Sequence, residues 1–164
     1  MTAAIHTLSI PPVIKKVIVE CSQEAAFDFF TNDIGQWYPL DRFSIRPSVD
    51  CRIEQGVGGR VYEIDVDGQE TLWGYVLEWN PPQKLAISWQ ARVSGDEAQR
   101  VEIHFRTVAT GTEVELVHSG WENLKVAARE WRDKYDGGWV EILEHRYKAF
   151  ADKAARDHIK GKQQ

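Results

Sequence analysis

The sequence is poor in the residues that would give it away. It holds two cysteines among 164 residues. Cys21 and Cys51 lie far apart and lack paired-ligand spacing. They read as reduced thiols of a cytosolic protein, not as a metal knot or a disulfide framework. Net positive charge is missing too: the formal charge is −5, which argues against a nucleic-acid partner. Lys15-Lys16 is only a pair, and Lys153, Arg156, Lys160 and Lys162 suit a helix C-terminus. No stretch approaches the ~20 apolar residues of a membrane span. The first dozen residues lack a basic start and an apolar core, so no secretory signal is expected. There is no phosphate loop, no Gly-x-Ser-x-Gly elbow and no His/Cys cluster at metal spacing, so neither a cofactor nor a metal is expected. Internal repeats, low-complexity tracts and linkers are absent as well. The expectation is one domain over residues 13–158, between a loose arm at 1–12 ending in Pro11-Pro12 and a tail at 159–164.

Aromatics are what the chain has in excess, with seven Trp, five Tyr and six Phe. Such residues either pack a core or line a cavity for an apolar ligand. Their placement follows from periodicity. Val13 to Glu20 is β-branched and reads as a strand. Ser22 is an N-cap candidate for a helix carrying Ala25, Ala26, Phe29 and Phe30. A second helical turn runs from Asn32 or Asp33 through Trp37 and ends at Pro39. Period-two patterns follow: weak strands at 43–46 and 50–55, then 60–66, 71–79, 85–89, 101–106 and 113–118. Asp67-Gly68, Asn80-Pro81-Pro82, Ser94-Gly95-Asp96 and Thr110-Gly111 turn the chain between them. Segment 123–135 reads as helix, and Gly137-Gly138 is expected to break it from a last one. There Trp139, Leu143, Tyr147, Phe150 and Ala154 form an apolar stripe, with Glu141, Glu144, Lys148 and Asp152 opposite. Such a helix must lay its stripe on the antiparallel sheet, and a curved sheet leaves room for a pocket.

Candidate site residues come from the faces assigned inward. Trp37 stands at a possible pocket lip. Tyr62, Trp89 and Trp139 each offer an apolar body with a polar handle, and Leu143 shares the face of Trp139. Glu63, Asp65 and Asp67 alternate away from Tyr62 and read as a solvated face. Strand 71–79 is ambiguous. Trp73, Tyr75, Leu77 and Trp79 form one row, and if that row faced outward it would be an apolar patch suited to a homodimer. Gly74 and Ala86 could widen the pocket. His118 ends the apolar row Val114-Leu116-His118. It is either a pocket acid, base or donor, or a structural histidine at the Ser119-Gly120 bend. His104 and His145 read as surface residues.

Several phrases, in order, resemble the START-like (helix-grip, SRPBCC) superfamily, in the branch of the activator of heat-shock-protein ATPase homologues. They are Ser22-Gln23-Glu24-Ala25-Ala26-Phe27, Gly58-Gly59-Arg60, the run from Gly74 to Leu85 with Trp89 after it, His118-Ser119-Gly120-Trp121, and Gly138-Trp139. The resemblance spans roughly residues 13–155. It implies an α+β fold, a seven-stranded curved antiparallel sheet gripping a long C-terminal helix, with two short helices after the first strand and a cavity between sheet and helix. The superfamily includes lipid carriers, hormone receptors and cyclases, so fold alone does not choose a function. The expected activity is binding of a small hydrophobic or aromatic molecule without catalysis, through Trp37, Tyr62, Trp73, Trp89, His118, Trp121, Trp139 and Leu143. The alternatives are a cyclase- or hydrolase-type enzyme using His118, and a chaperone-accessory module.

Overall fold

A computed structural model describes residues 10–163, with side chains described through residue 157. Alternation along the chain becomes one seven-stranded antiparallel sheet. The strands are β1 (Val13–Val19), β2 (Ser48–Ile53), β3 (Arg60–Asp65), β4 (Glu70–Asn80), β5 (Lys84–Trp89), β6 (Gln99–Val108) and β7 (Gly111–Ser119). Their spatial order is β1-β7-β6-β5-β4-β3-β2, so the first strand closes beside the last, with Val17 opposite Val114. Between β1 and β2 lie α1 (Gln23–Thr31), α2 (Ile34–Trp37) and α3 (Leu40–Phe43). Ser22 caps α1, its Oγ accepting from the Ala25 N–H. No strand forms at 43–46: Phe43 ends the last of these helices, and residues 44–47 are irregular. Pro39 opens a new turn after closing α2, and its carbonyl accepts from the Phe43 N–H.

After β7 a 3₁₀ segment, Trp121–Ala127, leads into α4 (Ala128–Trp139), a π-helical stretch (Val140–Tyr147) and α5 (Lys148–Gln163). The backbone stays helical through both junctions, so Gly137-Gly138 does not break the helix. Each glycine costs a helix interior about 1 kcal/mol, less than burial of Trp139, Ile142, Leu143 and Tyr147 returns. Those side chains lie on the inner face of the sheet, as the apolar stripe required. The Tyr147 hydroxyl donates to the Ala26 carbonyl across 2.7 Å and ties this helix to α1. Asp152 departs from the expected polar face. It is buried, and it accepts from the Glu20 N–H and the Lys148 ammonium.

Three bulges curve the sheet, and the structure overturns the face assignments of β3 and β4. In the β3–β4 pairing Val61 faces Gly74 while Tyr62 faces Leu72, so Trp73 is an inserted residue. In the β4–β5 pairing Val76 faces Ile87 and Glu78 faces Ala86, which inserts Leu77. Parity therefore changes within the expected row. Trp73 is buried, Tyr75 and Leu77 are exposed, and Trp79 turns back to meet Phe27 edge-on at 5.2 Å. The continuous aromatic patch proposed for a dimer does not form. In β3 the assignment inverts. Tyr62 lies on the outer face beside Arg52, its ring under the Arg60 guanidinium at 4.3 Å. Glu63 and Asp65, expected in solvent, are buried. Gly74 does not widen a pocket either, because a Cβ there would stand 1.6 Å from the Ser88 carbonyl oxygen. The space is filled by a neighbouring strand.

Candidate functional site

A cavity of about 220 Å³ lies where β4, β5, the α3 region and α4 converge. Trp73 and Trp89 form its floor. Tyr38, Phe43 and Ile45 form one wall, and Trp131, Tyr135 and Gly138 form the other. Arg42, Arg92 and Lys134 stand at the mouth. A groove between α1 and α5 is larger, about 750 Å³, but Asp28, Asp33, Gln36, Lys153 and Asp157 line it. It is a solvated surface furrow. The smaller cavity has the buried aromatic lining that ligand sites favour.

Both indoles of the floor are held by specific hydrogen bonds. The Trp73 indole N–H donates to Glu63 Oε1 at 2.6 Å. The same carboxylate accepts from the Ile45 N–H at 2.7 Å, the Arg46 N–H at 2.9 Å and the Ser48 hydroxyl. Burial opposes ionisation of Glu63, but these four donors outweigh it and hold the carboxyl below its usual range. Glu63 thus fixes both Trp73 and the 44–48 segment. The Trp89 indole donates to the Tyr135 oxygen at 2.9 Å, and the Trp73 and Trp89 rings lie 5.7 Å apart. Tyr38 packs on Trp73 at 4.8 Å. Burial pushes the pKa of both phenols up, with Arg92 opposing in each case, so both keep their protons at neutral pH. Among the described residues neither phenolic proton has an acceptor. Gly138 lies against Phe43: a Cβ on it would meet the Phe43 ring edge in ordinary contact at 3.4 Å.

His118 stands behind this floor and does not line the cavity. It is fully buried. Its Nδ1 accepts from the Trp139 indole N–H at 3.0 Å, so its Nε2 carries the proton and donates to Gln99 Oε1 at 3.2 Å. Trp121 stacks on the imidazole at 4.0 Å and donates its indole N–H to the His118 carbonyl. Burial lowers the imidazole pKa to about 3. This is a neutral histidine with both nitrogens occupied within the protein, and it is not among the residues that line the cavity.

Of the residues singled out in the sequence, Trp73 and Trp89 meet in the cavity. Trp37 and Trp139 border a gap of about 10 Å³ beside it. Trp37 is pinned by its indole bond to the Phe29 carbonyl, as a core plug and not a lip. Leu143 and Trp121 are buried away from the cavity, and Tyr62 is on the opposite face of the sheet. Sequence reasoning missed Tyr38, Arg42, Phe43, Arg92, Lys134 and Tyr135. A legible signal existed in Trp131, Tyr135 and Trp139, spaced by four on one helix face. His104 and His145 lie at the surface beside Glu102 and Glu141. No group of three metal-ligating side chains occurs among the described residues. No helix there is long and apolar enough to cross a membrane.

The family model described as Activator of Hsp90 ATPase homolog 1-like protein matches residues 20–151. No curated protein gives a match. Among solved structures, one titled an anthrahydroquino-gamma-pyrone synthase, Txn09, is 32% identical. The alignment covers 87% of this chain and 97% of that one, with a TM-score of 0.61. CalC from Micromonospora echinospora, titled a self-sacrificing resistance protein, is 23% identical over 88% and 96% of the two chains, with a TM-score of 0.64. Protein MLL2253 from Mesorhizobium loti is 17% identical over 87% and 97%, with a TM-score of 0.66. The last two likenesses are of fold.

Proposed function

This chain belongs to the Activator of Hsp90 ATPase homolog 1-like family, and from that premise we propose that it binds a small planar aromatic molecule in the Trp73–Trp89 cavity. The observation that carries the reading is the lining: six aromatic side chains, Tyr38, Phe43, Trp73, Trp89, Trp131 and Tyr135, surround a space that Arg42, Arg92 and Lys134 also line. The size sets the ligand. An engineered cavity of about 150 Å³ takes benzene, so a space of about 220 Å³ suits one or two fused rings. Burying ~250 Å² of aromatic surface at ~25 cal/mol per Å² gives about 6 kcal/mol before association costs. That corresponds to a Kd of tens of micromolar at best. Two free thiols fit a cytosolic setting.

Calorimetric titration with 2-naphthol tests the reading. The parent protein takes up one equivalent, and Ala91→Trp, which fills the cavity from the turn after β5, takes up none. Equal uptake by the two proteins places the ligand elsewhere and ends the proposal. A second reading is a reaction on the bound molecule. It is favoured by the phenols of Tyr38 and Tyr135, which line the cavity, and by the likeness to Txn09, a synthase. It expects Tyr135→Phe to abolish turnover of a converted ligand while leaving its binding intact.

A further inference from the structure

We infer that the ligand carries an acidic oxygen, a carboxylate or a phenolate, and that Arg92 is the residue that reads it. This rests on the aromatic-binding reading above and adds the ligand's charge. The chain is acidic overall, with a formal charge of −5. Yet the mouth of the cavity holds Arg42, Arg92 and Lys134, and no carboxylate lines it. Glu63 stands behind Trp73, with its oxygens already occupied by four donors. A cationic mouth on an acidic surface selects for anions.

The three cations differ in how far they are already engaged. Arg42 lies 3.7 Å from Glu141. Lys134 lies 3.3 Å from Glu130 and 4.9 Å over the Trp131 ring. Arg92 has no carboxylate within 4 Å among the described residues. It makes one bond, at 2.6 Å, from its guanidinium to the Ser44 carbonyl. That bond clamps the turn after β5 to the segment after α3, across the cavity mouth. The remaining guanidinium N–H groups can address a carboxylate in bidentate fashion. Its backbone is also unusual. Arg92 has φ of 70°, a left-handed conformation that costs a side-chain-bearing residue on the order of 1 kcal/mol. Glycine would fit there without strain, so an arginine here needs a reason beyond the turn. The phenols of Tyr38 and Tyr135 complete the site as donors to the same oxygen.

Quenching of tryptophan fluorescence by two matched probes tests this. Naphthalene-2-carboxylate and naphthalene-2-carboxamide share shape and differ in charge. At ~0.02 M salt the carboxylate is expected to bind the parent protein at least ~10-fold tighter, and this advantage to shrink at ~0.3 M. Arg92→Gly suits the backbone and should fold at least as well. It is expected to abolish the advantage of the carboxylate over the carboxamide, so that the ratio of the two Kd values falls to about 1 whatever the change in either one. Arg92→Lys, which keeps charge but not the fork, should retain part of it. If both probes bind the parent equally, the cavity reading stands and the acidic-ligand inference is wrong. A full advantage surviving in Arg92→Gly overturns the role of Arg92. Failure of both probes to bind overturns the cavity reading and this inference together.

Discussion

Two ionisable side chains behind the cavity floor, His118 and Glu63, have their charge states set by burial and by donors respectively. His118 is neutral because nothing charged surrounds it and both nitrogens are used within the protein. Its folded pKa, about 3, lies below the ordinary value of 6.5. Its contribution to stability is therefore complete above about pH 6.5. It is lost as the pH falls toward 3, because only the unfolded chain takes up the proton. His118→Gln is expected to destabilise the protein at pH 7 by about 1–3 kcal/mol, the cost of leaving the Trp139 indole donor unpaired. That deficit should shrink by about 1.4 kcal/mol per pH unit from pH 6.5 to 5. Urea unfolding of both proteins across this range checks it, and a deficit independent of pH contradicts the assignment. Glu63 is depressed from an ordinary 4.5, so its contribution is complete above that value and lost below it. Glu63→Gln should cost about 3 kcal/mol at pH 7, since an amide cannot accept from all four donors. The same denaturant series measures it. Neither role was legible in the sequence. His118 was recognisable as the polar end of an apolar row, but its second-strand partner Gln99 and its helix partner Trp139 come from distant elements. Glu63 looked like a solvated residue because a carboxylate in an alternating strand is ordinarily placed outward, and its four donors come from other segments.

The elements were largely readable where one periodicity holds without interruption. β1, β6 and β7 carry clean alternation, and the observed burial follows it. The Ser22 cap and the Asp67-Gly68 turn, with Gly68 at φ of 85°, also follow from local chemistry. β4 was misread because each inserted residue reverses the parity of all that follows; β3 alternates without interruption, and it was misread because its inward row, Val61, Glu63 and Asp65, carries two carboxylates. The glycines give sharp tests at this scale. A Cβ at Gly137 meets nothing within 4 Å, so Gly137→Ala should stabilise by about 0.5–1 kcal/mol through helix propensity and a less free unfolded chain. Gly74→Ala should be destabilising by more than about 3 kcal/mol, because a backbone carbonyl occupies the required space. Thermal unfolding of the two variants separates them. Similar behaviour would mean that the β4–β5 approach is looser than described.

At the scale of the molecule, the fold places residues from four separate stretches of chain around one space: 38–45, 73, 89–92 and 131–138. The helix-over-sheet arrangement was legible because an amphipathic helix after a run of antiparallel strands has one place to go. The site was legible only in part. Trp73 and Trp89 sit on the sheet, whose inner face a sequence can suggest. Tyr38, Arg92 and Tyr135 reach the cavity through a one-turn helix, a left-handed residue and an uninterrupted glycine pair, none of which periodicity records. The same placement explains why Trp139 and Leu143, on the apolar stripe, became core: the stripe covers the sheet, and the cavity lies at its N-terminal end. The central claim is that an aromatic ligand occupies this particular space. The most direct measurement is a ¹⁵N–¹H spectrum of the tryptophan indoles, titrated with naphthalene-2-carboxylate. The seven tryptophans give seven reporters. The account predicts that Trp73, Trp89 and Trp131 shift with a common Kd, while Trp37 and Trp121 stay in place. Movement of Trp37 and Trp121 with Trp73 and Trp89 unchanged, or no movement at all, would contradict it.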